Sequence, residues 1–290
     1  MDHNQFPALY QAADKASIDA QSMYLRLIKL HIFLLVFGAA LTVNPLPTKE
    51  YSLINAFVFL CALGVSMLLA IKKYEKLWYS SRAVAESVKT ATWRYLMKAD
   101  PFRDASSIKE VNSTFRNLLN EILHSNNQIG QLLGGNVSTT EQISNEMGVI
   151  RSSSLQDRRD VYLTSRVDEQ RKWYANKSAY NKRHSGYFFA LLILLQLMAI
   201  AFVLLRIAYL SWSIWPTEVF VVLAGGVVTW MQVKRFQEIA TAYALTAHEI
   251  GIVRGKLSES ETDVEFSDFV LDAENAFSRE HTQWVARQNS

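Results

Sequence analysis

The chain has 290 residues, half of them hydrophobic, with a formal net charge of +3 and a single cysteine. Its apolar residues are gathered into long runs rather than spread at a period of 2 or 3.6, which argues against one or two ordinary soluble domains. The lone thiol, Cys61, excludes an intramolecular disulfide and a cysteine metal cluster, and inside its apolar run it reads as a small filler.

The N-terminal stretch MDHNQFPALYQAADK has no basic segment leading into an apolar one, so the first apolar run is expected to stay in the mature chain. That run, residues 27–43, carries Lys29 and His31 near its start. The second, 53–71, is uncharged and long enough to cross a bilayer, which takes roughly 20 apolar residues. Residues 186–205 are equally clear, and 216–233 form a shorter run with Glu218 at its edge. Each weaker run lies one short connector from a strong one, so four spans in two hairpins are expected. Arg26, Lys29, Lys72, Lys73, Lys76, Lys172, Lys177, Lys182, Arg183, Lys234 and Arg235 flank one side, against Lys49 and Arg206 at the other. The positive-inside rule then puts both termini and the long middle segment in the cytoplasm, with the basic clusters against anionic lipid headgroups. Those clusters follow the spans, so headgroups explain them better than nucleic acid does. Tyr51, Tyr209, Trp212 and Trp215 fall where interfacial aromatics belong on the outer side.

The order helix, span, connector, span, helix occurs twice, dividing the chain into units of 1–150 and 151–290. With Tyr74 placed over Phe236, both post-span helices begin with two basic residues and an aromatic. The first then carries Trp78, Arg82 and Glu86 on one face, where Arg82 and Glu86 can pair; the second has Ala240, Ala244 and His248 there. From 53 to 98, and again from 157 to 206, nothing breaks the helical pattern; fifty such residues would extend about 75 Å, well beyond the membrane. Between the units, LLGGN at 132–136 reads as a helix end and STTE at 138–141 as a capping box. A last amphipathic helix ends at Trp284, and no segment reads as a sheet. The fold class is all-α: an integral membrane protein with four transmembrane helices and long cytoplasmic helical extensions.

Catalytic chemistry is not apparent. The six histidines form no ligand pair, GIVRGK at 251–256 is one residue short of a phosphate loop and helical, and no metal or cofactor site is expected. No Asp, Glu, Lys or Arg lies near a span's midplane, where coupled transporters keep them. The strongly polar side chain there is Gln196. Small residues, Gly64 and Ser66 in one span and Gly225 and Gly226 in another, allow close helix approach. Packing within the chain and contact between subunits or along a pore are both open for these positions. Gly186, at the junction of basic and apolar halves, is the cheap place for that helix to bend.

One pattern resembles a known family. Arg166, Gln170, Trp173, Tyr174, Lys177 and Asn181, running into a span, resemble the SLATT family of small two-span effector domains of bacterial conflict systems. Glu280 and Trp284 resemble its terminal Glu-x-x-x-Trp, and Met147, Arg151, Arg158 and Tyr162 resemble the joint of tandem versions. Trp78, Arg82 and Glu86 look like the post-span motif; the second half keeps Phe236 and Tyr243 but not the tryptophan or arginine. The resemblance implies a non-enzymatic effector in the bacterial inner membrane. Such an effector would homo-oligomerise and permeabilise that membrane in anti-phage defence, on a signal from a sensor protein or a nucleotide second messenger. The alternative is a non-conducting scaffold whose stalk docks a partner. Trp78, Trp173 and Trp284 each lie on an otherwise polar amphipathic stretch and are expected to pack between cytoplasmic helices.

Overall fold

The computed structural model describes residues 1–43, 48–104, 107–125, 141–257 and 260–288, with the backbone alone for 278–288. After a short turn at His3–Gln5, the helices are α1 (Ala8–Thr42), α2 (Lys49–Lys72), α3 (Tyr74–Leu96), α4 (Ile108–His124), α5 (Asn145–Ser152) and α6 (Leu155–Tyr162). A π-helical turn at Leu163–Asp168 leads into α7 (Glu169–Ala208), followed by α8 (Thr217–Lys234), α9 (Phe236–Lys256) and α10 (Asp263–Gln288). The described residues contain no strand. Four stretches are long and apolar enough to cross a membrane: Ala8–Thr42, Lys49–Leu96, Leu155–Ala208 and Thr217–Lys256. The all-α membrane architecture expected from the apolar runs is therefore the one observed.

The starts of these helices are written locally. Ser107, Ser144 and Ser154 cap α4, α5 and α6 by accepting from the backbone N–H three residues on, at 3.3, 3.3 and 3.1 Å. Thr262 and Glu265 form a reciprocal capping box at α10. The helix end expected at 132–136 lies outside the described residues, as do the first three residues of the capping box expected at 138–141.

The stretch 53–98, expected to run unbroken, does not. Lys73 adopts the left-handed conformation (φ 47°) and separates α2 from α3. Arg235 does the same (φ 46°) between α8 and α9. Each closes its span with a backbone N–H bond to the carbonyl four residues back, Lys73 to Leu69 at 3.2 Å and Arg235 to Met231 at 2.8 Å. These are equivalent positions of the duplication, immediately before Tyr74 and Phe236. The repeat is thus conformational as well as compositional, although nothing in a pair of basic residues forecasts a positive φ. In the 157–206 stretch the departure is the π-helical turn.

The chain folds into two compact units. The first, here the core unit, is Met1–Gln21, Glu75–Lys177 and Ala242–Ser290; the second, the span unit, is Ser22–Tyr74 and Ser178–Thr241. Both draw on both halves of the sequence. The core unit is built around aromatic side chains. Phe6 meets Trp93 edge-on at 6.4 Å, Trp93 meets Tyr162 at 5.8 Å, and Tyr162 meets Phe266 at 6.1 Å. Tyr95, Phe102 and Phe115 form a second cluster. Edge-to-face pairs of this kind add about 0.5–1.5 kcal/mol beyond area burial.

Candidate functional site

Within the core unit, three arginines spaced along α5, α6 and the π-helical turn are almost wholly buried: Arg151, Arg158 and Arg166. The first two secure the end of α3, whose last carbonyls have no partner inside the helix. Arg151 Nη1 donates to the carbonyl of Tyr95 and Nη2 to Asp104 at 3.0 Å. Arg158 Nη1 donates to the carbonyl of Met97 at 3.1 Å and its Nη2 pairs with Asp263 at the start of α10. Cations at a helix C-terminus also oppose its dipole favourably.

Arg166 is the centre of the network. It donates from Nε and Nη2 to the two oxygens of Glu274 at 2.8 and 2.7 Å, a bidentate pair in which both residues are at most 2% exposed. Tyr162 donates its hydroxyl to Glu274 Oε1 at 3.0 Å, and the Arg166 guanidinium lies 4.9 Å from the centre of the Phe277 ring. The π-helical turn, one residue wider than an α-turn, holds Arg166 in this arrangement; such insertions often mark sites under functional constraint. Burial opposes charge on Arg166, but the Glu274 carboxylate outweighs it and raises the guanidinium pKa. Burial, followed by Glu274, pushes the Tyr162 phenol well up. Both effects hold the guanidinium charged and the tyrosine neutral.

A second network lies along α1 and α3. Arg82 pairs with Glu86, as their spacing suggested, and also with Asp14 at 3.2 Å. His3 Nε2 approaches Asp14 at 3.2 Å. Burial, with Asp14 and Glu86 adding to it, pushes the Tyr10 phenol up to about 12. Between the networks, Lys89 is held below its usual pKa by burial and by Arg166.

The remaining motif residues are less enclosed. Gln170 is half-buried, and Trp78 is half-buried and stacked on Tyr79 at 4.5 Å. Trp173 corrects an expectation: it is 39% exposed, touching Tyr174, Tyr243 and Lys177, whereas Tyr174 beside it is 2% exposed. The tryptophan that fills the core is Trp93, which carries no motif signal. Glu280 and Trp284 fall on α10, but their side chains lie outside the described residues. Asp14, Asp263 and Glu274 were not singled out from the sequence, because each finds its partner 68 to 108 residues away.

In the span unit, Ser66 donates to the Ala62 carbonyl at 3.2 Å and lies 3.4 Å from His31 Nδ1, linking α2 to α1. A Cβ on Gly226 would fall 2.7 Å from Ile32, so this glycine is where α8 approaches α1 within the chain. Gly64, Gly186 and Gly225 have open space around them, and Gln196 is exposed. Helix α7 passes through Gly186 without a break. Lys29 and Lys234 approach the Trp230 ring at 5.3 and 6.0 Å, while Tyr209, Trp212 and Trp215 stack on the α7–α8 connector. Among the described residues no group of three His, Cys, Asp or Glu could hold a metal ion.

Fold and site together describe a multi-pass helical membrane protein whose buried ionic chemistry serves assembly of its helices. Residues 7–159 match the family model described as SMODS and SLOG-associating 2TM effector domain 3, and residues 162–284 match SMODS and SLOG-associating 2TM effector domain 1. The first match alone covers more than half of the chain, which therefore belongs to the SLATT family of two-span effector domains of conflict systems, in a tandem version. Comparison with curated proteins and with solved structures gives no match.

Proposed function

We propose that the protein is a non-enzymatic effector of a bacterial conflict system that acts as a homo-oligomer and permeabilises the inner membrane on a cytoplasmic signal. In this reading both termini and the core unit are cytoplasmic, and the signal comes from a sensor protein or a nucleotide second messenger. The observation that carries it is a division of labour along the chain. The described ionisable groups with strong partners are paired inside the core unit, while the spans hold no charge near their midplanes. A coupled transporter would need the reverse. Family membership adds the effector role. The gathering of Lys29 and Lys234 at Trp230, with the stacked aromatics on the connector, supports the orientation. A pore without charged residues is closed by apolar side chains that exclude water.

The test is ionic current and dye release from liposomes holding the full chain, alongside a potential-sensitive dye in cells expressing it with and without its genomic neighbours. Depolarisation is expected when the neighbours are triggered. A membrane-inserted protein that leaves both vesicles and cells tight under that condition is a scaffold, and the effector pore is ruled out.

A further inference from the structure

Helix α7 presents two different seams in the span unit. One packs inside the chain: Phe188, Leu192, Leu195, Ala199 and Phe202 repeat at intervals of four and three. Phe188 stacks on Phe236 and Phe202 on Phe220, each at 5.3 Å, and Leu195 and Ala199 are buried. The other seam begins one residue later, about 100° around the helix. Phe189, Ile193, Gln196, Ile200, Val203 and Ile207 repeat at the same four-three intervals, and all six are exposed, the apolar five by 41–69%. An apolar repeat of 3.5 residues is what a helix offers to another helix for knobs-into-holes packing, and β-branched side chains suit it.

Gln196 decides what covers this seam. It stands at the middle of the uncharged run 186–205, exposed, with no hydrogen-bond partner among the described residues. Hydrocarbon offers an amide neither donor nor acceptor, so lipid alone leaves it unsatisfied. An amide is itself both donor and acceptor, so two copies related by a twofold axis along the membrane normal satisfy each other at the same depth. We infer that a second copy of this chain packs on this seam, α7 beside α7 and parallel, with the Gln196 amides bonded across the interface. A single polar residue in an otherwise apolar seam fixes its register. The inference rests on the oligomeric reading above and specifies its surface.

The experiment uses the full chain with Cys61→Ser, carrying one new cysteine at each position from 189 to 207, reconstituted in vesicles and oxidised. Disulfide-linked dimer is expected to peak for Ile193→Cys, Gln196→Cys, Ile200→Cys and Val203→Cys and to fall at Leu195, Ala199, Leu197 and Leu204. A flat profile, as for lipid-covered monomers, or a maximum along Leu194, Leu197, Ala201 and Leu204 overturns the assignment. Association followed by energy transfer on dilution into lipid should weaken roughly three- to tenfold for Gln196→Leu and recover in Gln196→Asn. Unchanged association in the leucine variant, with helicity intact, removes the amide pair. Leakage of the same vesicles is scored separately. Cross-linking along the seam without leakage keeps the interface and removes the pore; leakage without it does the opposite.

Discussion

The two units differ in where most of their large apolar side chains go. In the core unit Trp93, Tyr95, Phe102, Phe115, Tyr162, Tyr174 and Phe266 are enclosed almost completely. In the span unit much of what is buried is small, including Ala39, Ala62, Ala199, Ala224 and Ala240, while Leu53, Phe57, Leu60, Leu197, Leu204 and Ile207 point outward. The difference teaches which solvent each was written for. In water, burying a large apolar side chain stabilises by about 1.5–3 kcal/mol, so the large ones go in. In lipid that drive is absent, and helices associate by close approach of their backbones, which small residues permit. The polar groups divide likewise. The core unit seals Arg166 and Glu274 together, whereas the span unit leaves Gln196 at its surface.

The contrast is tested most severely at Glu274. Glu274→Ala leaves Arg166 charged, buried and unpaired and deprives Tyr162 of its acceptor, at a cost of about 3–5 kcal/mol. Thermal unfolding of the full chain in detergent should show a large loss. The double variant Arg166→Met with Glu274→Leu should recover most of it, because apolar residues of similar volume replace a buried pair without the desolvation penalty. Gln196→Leu, in contrast, should leave folding of the single chain unaltered. If Glu274→Ala were as mild as Gln196→Leu, the core unit would not be the ion-locked body described above.

Much of this arrangement could be read in the sequence, and the failures have a common cause. The spans, their hairpins, the duplication and the Arg82–Glu86 pair follow from periodicity and short spacing. The conflict-system motif located Arg166, Tyr162, Arg151 and Arg158 as positions of interest. What it could not supply was their partners, because Asp263 and Glu274 meet Arg158 and Arg166, as Asp14 meets Arg82, from 68 to 108 residues away, and a charged residue on an amphipathic helix looks like any solvated one. Trp173 misled for a related reason: a tryptophan on an otherwise polar amphipathic stretch announces packing, but helical geometry sends adjacent residues about 100° apart, and Tyr174 took the inward position. The breaks at Lys73 and Arg235 involve neither glycine nor proline and so carried no local signal.

Inside the span unit the comparison sharpens at two adjacent glycines. An alanine at 226 would place its Cβ 2.7 Å from Cγ2 of Ile32, a β-branched side chain with little freedom to turn away, and should destabilise by about 1–3 kcal/mol. Gly225→Ala meets nothing within 4 Å and removes a helix-interior glycine, which should stabilise by roughly 0.5–1 kcal/mol. The two shifts in detergent unfolding temperature should have opposite signs. Equal effects would mean that close approach of α8 to α1 does not hold the span unit together.

The smallest expected effect lies at Lys73 and Arg235, two of the three left-handed non-glycine residues described, near where the chain leaves the span unit. A non-glycine residue in this conformation costs about 1–2 kcal/mol, because its Cβ crowds the following carbonyl. Lys73 and Arg235 both accept that cost, and both recover part of it through the N–H bond that closes their span. Glycine at either position removes the crowding but widens the unfolded ensemble, so Lys73→Gly and Arg235→Gly should each gain about 0.5–1 kcal/mol. Lys73→Ala and Arg235→Ala keep the Cβ and should gain nothing. The measurement is again unfolding in detergent, where headgroup attraction to the lost cation does not enter. Because the two residues are equivalent in the duplication, they should respond alike. A gain at one position and a loss at the other would show that the shared conformation arises from different surroundings rather than from the repeat.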